Sequence, residues 1–293
     1  LICNDIGVRV VWGRLKKISK KMALKSCVSK KFESLFGYQP TQFCFAPGRV
    51  NLIGEYIDYS GFGVLPCAIS RYTVVAIGVS SNPGAKALSI GLYDEERPDS
   101  AVCTFDSIES VPTESHHWTN YVLAAYLGLG DFGVGLPRGV ELVVGGDLPQ
   151  GSGLSSSSSL VVACAMALSS VRLTRQSISP QNLSEICMKA EWYVGTAGGG
   201  MDQAAIILSQ EGFASWIIFL PSLTSHPVEL PCELSFIVAN SLAPSLKAET
   251  AHTRYNKRVF ECKIGAYMLR QGVPSKHWKA ERECCSVDTD TFG

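Results

Sequence analysis

Asp147-Leu148-Pro149-Gln150-Gly151-Ser152-Gly153-Leu154-Ser155-Ser156-Ser157-Ser158-Ser159-Leu160 places glycines and then serines between two apolar segments. The segment before it, Gly139 to Gly145 (GVELVVG), reads as a strand. The segment after it, Leu160 to Ser170, is rich in Ala, Leu and Met and reads as a buried helix. A strand, a glycine–serine loop and a helix in that order put backbone N–H groups and hydroxyls at a helix N-terminus. Amides and helix dipole together favour an anion there, and phosphate is the obvious one. No Lys follows the glycines, so this is not a Walker A loop. A flexible linker would not run straight into so apolar a helix.

Working outward, Thr41 to Ala46 (TQFCFA) alternates polar and apolar as a half-buried strand would, and leads into an expected turn at Pro47-Gly48. Tyr72 to Val79 and Ser235 to Ala239 read as strands, and Trp118 to Leu129 as a helix. From Leu183 to Val194 the apolar residues Leu183, Ile186, Cys187, Ala190 and Val194 recur at spacings of three and four, which predicts a helix. Arg258 to Leu269 is a further helix candidate. Strands and helices mixed in this way indicate an α+β or α/β architecture.

Two more segments carry chemistry. Pro47-Gly48-Arg49-Val50-Asn51-Leu52-Ile53-Gly54-Glu55-Tyr56-Ile57-Asp58-Tyr59 gathers Arg49, Asn51, Glu55 and Asp58 among glycines that admit a ligand close to the backbone. Carboxylates beside amides suit a polyhydroxylated ligand, because a carboxylate accepts strong bonds from hydroxyls. A solvated loop with incidental charge accounts for the same residues. In Gly195-Thr196-Ala197-Gly198-Gly199-Gly200-Met201-Asp202-Gln203, Asp202 stands on a glycine-rich turn, with Glu191 eleven positions earlier. A helix cap by Asp202 explains that pattern as well as a reactive carboxylate does.

Together the three segments resemble one family. GRVNLIGEYIDY resembles the galactokinase signature, GSGLSSSSSL the phosphate loop of the GHMP kinases, and GGGMDQ the catalytic-Asp segment of galactokinases and N-acetylgalactosamine kinases. The resemblance runs from about Phe32 to Leu269. It implies the GHMP kinase fold: a ribosomal-protein-S5-like α/β domain followed by a ferredoxin-like α+β domain. It also implies ATP-dependent phosphorylation of the anomeric hydroxyl of galactose or N-acetylgalactosamine. By position Asp202 matches the catalytic base and Arg49 the charge-stabilising residue beside it. An Arg there would keep the carboxylate ionised and able to accept the C1 proton. Glu55, Tyr56, Asp58 and Tyr255 (in YNKRV) match sugar contacts. Gly151, Gly153, Ser155, Ser156 and Ser157 match nucleotide contacts, and Lys247 does so less closely. Ser157 and Glu191 match positions that hold Mg²⁺, and Trp118 is a candidate for packing near the adenine or in the core.

The chain departs from the family pattern in two respects. Tyr56 stands where the family usually has His, which bears on sugar affinity or preference. The family's third glycine-rich motif has no counterpart after Lys247. The expected division is therefore a poorly ordered basic leader over 1–31, an N-terminal domain over 32–228, the beginning of a second domain over 229–272, and a non-matching tail over 273–293. Such a chain is expected to expose apolar surface and unpaired sheet edges and to be weakly active or inactive. A non-catalytic sugar- and ATP-binding regulator, or an inactive incomplete product, is the competing reading.

Composition excludes several classes. The 293 residues carry 26 Lys+Arg and 26 Asp+Glu, which gives no reason to expect nucleic-acid binding. That balance is uneven: residues 1–31 hold nine basic residues against one acid, a net of +8, and residues 32–293 hold 17 against 25, a net of −8. Basic and acid-poor residues suit a transit peptide, but the serines are few, and a solvated basic leader or an incompletely defined N-terminus accounts for the segment better. Eleven cysteines, an odd count without a C-x-x-C pair, suggest neither a disulfide scaffold nor a zinc ribbon. No apolar run approaches a membrane span. A cytoplasmic monomer that takes a sugar and ATP, with no nucleic-acid or membrane partner, is the expectation.

Overall fold

The computed structural model describes residues 7–10, 14–94, 101–112, 117–174, 177–231, 233–234, 236–239, 241 and 255–272. The organising element is a five-stranded mixed sheet built from β2 (Gln42–Ile53), β3 (Leu65–Val79), β4 (Leu88–Leu92), β5 (Cys103–Phe105) and β6 (Val140–Gly146). Its order is β2-β3-β6-β4-β5, antiparallel throughout except for the parallel β4–β6 pair. The centre of β3 is apolar at every position from Val74 to Ile77 because the sheet is covered on both faces. Val75 and Ile77 face one core with α2 (Thr119–Asp131), α3 (Ser156–Ser170) and α4 (Pro180–Ala190). Val74 and Ala76, one residue out of phase, face a second core with α1 (Arg14–Phe36).

Helix α1 corrects the expected leader. It runs through the 31/32 boundary and places Val28 and Phe32 in full burial against Val74, Ala76 and Val143. Burial of two such side chains contributes roughly 1.5–3 kcal/mol each. Its stripe of Leu24, Val28, Phe32 and Leu35 recurs at helical spacing and is fringed by cations. Lys21 Nζ sits 4.5 Å from the Phe45 ring centre, and Lys20 pairs with Asp147 at 2.6 Å. Lys20, Lys21 and Lys25 thus border the packed face of a helix. Gly91 admits it: a Cβ there would lie 2.4 Å from Leu35 Cδ1.

The expected turn at Pro47-Gly48 is a second correction. Strand β2 continues through it, absorbing the irregularity as a register shift against β3 between Pro47 and Arg49. Arg49 therefore projects from a strand, not a loop. Gly48 is where β2 meets the glycine–serine loop, for a Cβ there would be 2.8 Å from Leu154 O.

After α4 come a single 3₁₀ turn (Glu191–Val194), α5 (Met201–Leu208) and the antiparallel pair β7 (Phe213–Ile218) and β8 (Thr224–Glu229). Beyond them β9 (Phe236–Ala239) pairs with β1 (Gly7–Val10), and α6 (Asn256–Gly272) follows. Helix α6 exposes Phe260, Ile264, Tyr267, Met268 and Leu269. Residues 273–293 lie outside the described residues. Among the described residues, no helix is long and apolar enough to cross a membrane.

Candidate active site

The site forms where β2, the glycine–serine loop and the N-terminus of α5 converge. Arg49 is 4% exposed, and each of its three guanidinium nitrogens has a polar contact. Nε donates to Asp202 Oδ1 at 2.7 Å, the second terminal nitrogen lies 2.6 Å from the same oxygen, and the first donates to Gly153 O at 2.8 Å. A charge this deep persists only when its donors are satisfied. One arginine thus ties the carboxylate of α5 to the loop before α3.

Glu55, Tyr56, Asp58, Glu191, Thr196, Gly198, Gly200, Met201, Asp202, Gln203 and Tyr255 line one cleft beside this pair. Asp58 is buried and its Oδ2 accepts from the Met201 N–H at 3.2 Å, so an acid sits at the N-terminus of α5 where the dipole favours it. Gly199 makes that approach feasible, since a Cβ would come within 2.2 Å of Tyr59 N. Asn51 Nδ2 donates to Glu55 Oε1 at 3.1 Å and fixes its orientation. Buried Glu191 accepts from Gln203 Nε2 at 2.8 Å. Tyr56 holds φ +59°, a strained value for a bulky residue, and its ring tilts against that of Tyr255 at 5.7 Å. Burial, reinforced by the carboxylates of Asp58, Asp202 and Glu191, pushes the Tyr255 phenol up, so it remains a hydrogen-bond donor.

The glycine–serine loop is shaped by left-handed backbone at Gly151 (φ +63°), Gly153 (φ +75°) and, unusually, Ser155 (φ +57°), which caps α3. Ser159 fastens the helix to the sheet, its Oγ 2.9 Å from Ala46 O and 2.8 Å from Thr73 Oγ1. Ser155 Oγ and Ser158 Oγ are buried without a hydrogen-bond partner among the described residues. Such orphans are uncommon in folded proteins and mark this turn as a polar cradle. Among the described residues, no group of three His, Cys, Asp or Glu could hold a metal by itself.

Two family descriptions match this chain: "Galactokinase galactose-binding signature" over residues 30–79 and "GHMP kinases N terminal domain" over residues 120–210. Over these two regions the chain is similar to the GHMP kinases, and in the first of them to the galactokinases in particular. It is 37% identical to the galactokinase of Dictyostelium discoideum over 245 residues, which cover 83% of this chain and 48% of that protein. It is likewise 37% identical to the galactokinase of Saccharomyces cerevisiae over 276 residues, covering 87% and 51%. The chain thus spans about half the length of these curated relatives. A Lactococcus lactis galactokinase complexed with galactose shares the fold, with a TM-score of 0.67 at 24% identity over 92% of this chain and 68% of that one.

Arg49, Glu55, Tyr56 and Asp58 lie within the first matched region, and Gly151, Gly153, Ser155, Ser156, Ser157, Glu191 and Asp202 within the second. Of the residues expected from sequence, Glu55, Tyr56, Asp58, Glu191, Asp202 and Tyr255 meet in the cleft, and Arg49 joins them to Gly153. Lys247 lies outside the described residues. Trp118 packs against the larger core. The sequence motifs do not single out Gln203 or Asn256, although each stands beside a residue that they do, Asp202 and Tyr255. Their signal was the amide: a buried carboxylate or a carbonyl-rich turn needs a neutral partner able to donate and accept.

Proposed function

We propose that this chain is the sugar- and nucleotide-binding part of a galactokinase-type enzyme. The reaction is transfer of the γ-phosphoryl group of ATP to the C1 hydroxyl of galactose or N-acetylgalactosamine. The observation that carries this reading is the buried Arg49–Asp202 pair, set between a carboxylate-lined cleft and a serine-rich helix N-terminus. Glu55 and Asp58 accept bonds from sugar hydroxyls, and the protonated Tyr255 phenol donates one. Asp202 orients the C1 hydroxyl and accepts its proton as the oxygen bonds to the γ-phosphorus. The bond from that phosphorus to the bridging oxygen breaks, and ADP leaves. Arg49 holds Asp202 in place and spreads positive charge toward the transferred group, so catalysis rests on positioning and charge neutralisation.

The loop residues Gly151, Gly153, Ser155, Ser156 and Ser157 cradle the nucleotide phosphates, and the orphaned hydroxyls of Ser155 and Ser158 suit that role. Lys247 is a further nucleotide contact in this reading. The Ser157 hydroxyl and the Glu191 carboxylate are hard oxygen donors that suit Mg²⁺, which when bound neutralises phosphate charge. The domain division proposed is sugar and nucleotide binding before about residue 228 and a second domain beginning after it. The protein acts in the cytoplasm, as a monomer.

ADP release measured with galactose, with N-acetylgalactosamine and without sugar tests the reading. Sugar-stimulated release from the wild type that is lost in Asp202→Ala supports it. Sugar-independent release, unchanged by Asp202→Ala, refutes it.

A further inference from the structure

Helix α6 enters the site through its first residue. Asn256 is 7% exposed and spends both ends of its amide on the glycine-rich turn before α5. Nδ2 donates to Gly195 O at 2.8 Å, and Oδ1 accepts from the Ala197 N–H at 3.1 Å. No other side chain type of this size could make both bonds, since Asp lacks the donor and Leu lacks either. The turn it grips begins at Gly195, in left-handed backbone (φ +84°), and ends at Gly200 (φ +100°), two residues before Asp202. Thr196 N–H is bonded to Glu191 O, so the same turn also carries the chain from Glu191 to Asp202.

The residue before Asn256 is Tyr255, whose ring lines the cleft against Tyr56. Its hydroxyl lies 3.6 Å from where a Cβ on Gly198 would be, so the phenol rests over the turn that Asn256 holds. The rest of α6 is lightly attached. Val259 is buried and Cys262 Sγ lies 3.9 Å from Tyr59 Oη, but the helix is exposed at Phe260, Ile264 and along its last turns. Asn256 is therefore the polar fastening between the helix that bears Tyr255 and the turn that leads to Asp202.

We infer that Asn256 is a positioning residue: it sets the Tyr255 phenol and the 195–200 turn against each other, and so fixes the sugar-facing wall of the cleft. It touches neither sugar nor nucleotide. The inference rests on the sugar-kinase reading only for the ligand that probes it, and its geometry can be tested without one.

The experiment compares wild type, Asn256→Ala, Asn256→Asp, Tyr255→Phe and the Asn256→Ala/Tyr255→Phe double variant. Galactose and ATP affinities are measured by calorimetry, and backbone hydrogen exchange over 195–203 by mass spectrometry. Asn256→Ala is expected to weaken galactose binding about tenfold, one lost positioning contact of ordinary strength, and to leave ATP affinity unchanged. Asn256→Asp, which keeps the acceptor for the Ala197 N–H, should fall between. In the Tyr255→Phe background the Asn256→Ala effect should shrink to less than threefold, because both changes remove the same wall. Exchange over 195–203 should accelerate at least tenfold in Asn256→Ala. Equal losses of galactose and ATP affinity, full additivity with Tyr255→Phe, or unchanged exchange would each overturn the inference. Absence of galactose binding by the wild type would refute the sugar-kinase reading instead, and the exchange measurement would still decide Asn256.

Discussion

Replacing Arg49 by Met removes the guanidinium that joins β2, the glycine–serine loop and α5, while keeping most of the side-chain volume. Two contacts to Asp202 Oδ1, at 2.7 and 2.6 Å, and one to Gly153 O, at 2.8 Å, disappear together. The two side chains are only 5% and 16% exposed, so Asp202 loses a partner it cannot replace fully with water. Removing one member of a buried pair costs about 3–5 kcal/mol. The residual exposure of Asp202 places the expected loss near the lower end, about 3 kcal/mol. With a urea m-value of about 3 kcal/mol/M for a chain of this size, the unfolding midpoint should fall by about 1 M. Asp202→Leu strands the guanidinium and should cost a similar amount. The double variant Arg49→Met/Asp202→Leu should be more stable than the sum of the single losses predicts, by about 2 kcal/mol, because neither charge is then left alone. Urea unfolding of the four proteins, followed by tryptophan fluorescence, reads the coupling. A coupling below about 0.5 kcal/mol would refute the claim that this pair is a buried joint.

Two other outcomes follow from local geometry. Gly199→Ala forces a methyl within 2.2 Å of Tyr59 N and 2.4 Å of Asp58 C, both backbone atoms, and so should destabilise the fold by about 2–3 kcal/mol and separate Asp58 from α5; thermal melts and galactose calorimetry check both effects. Burial pushes the Cys44 thiol from 9.0 up to about 11. The unfolded chain therefore releases this proton first, and stability should decline as pH rises through that window; Cys44→Ala should show a shallower decline in urea midpoint between pH 9 and 11.

The parts of the fold legible in sequence were those with a local cause. Gly151, Gly153 and the serine run announced a strand–loop–helix turn, because left-handed backbone and a helix N-terminus leave a compositional mark. The stripe at Leu183, Ile186, Cys187 and Ala190 announced α4 for a similar reason. What escaped reading depended on partners distant in sequence. Pro47-Gly48 has the local chemistry of a turn, but pairing with the long β3 carries β2 through it. Helix α1 hid behind its lysines, although Leu24, Val28, Phe32 and Leu35 keep helical spacing. The short β4 and β5 have too few residues to show a period; β4 exists because β6 offers an edge, and β5 because β4 then offers another. At the site the charged residues were legible one by one. Gln203 and Asn256 were not, because an amide acquires its meaning only from the groups it bridges.

The most direct test of the central claim is a single-turnover reaction with enzyme in excess over ATP and galactose present, followed by ³¹P spectroscopy. Wild type should form a sugar 1-phosphate resonance as the ATP γ-signal disappears, and Asp202→Ala, with galactose still bound, should form none. Loss of the γ-signal to inorganic phosphate alone, or equal sugar 1-phosphate from both proteins, would contradict it.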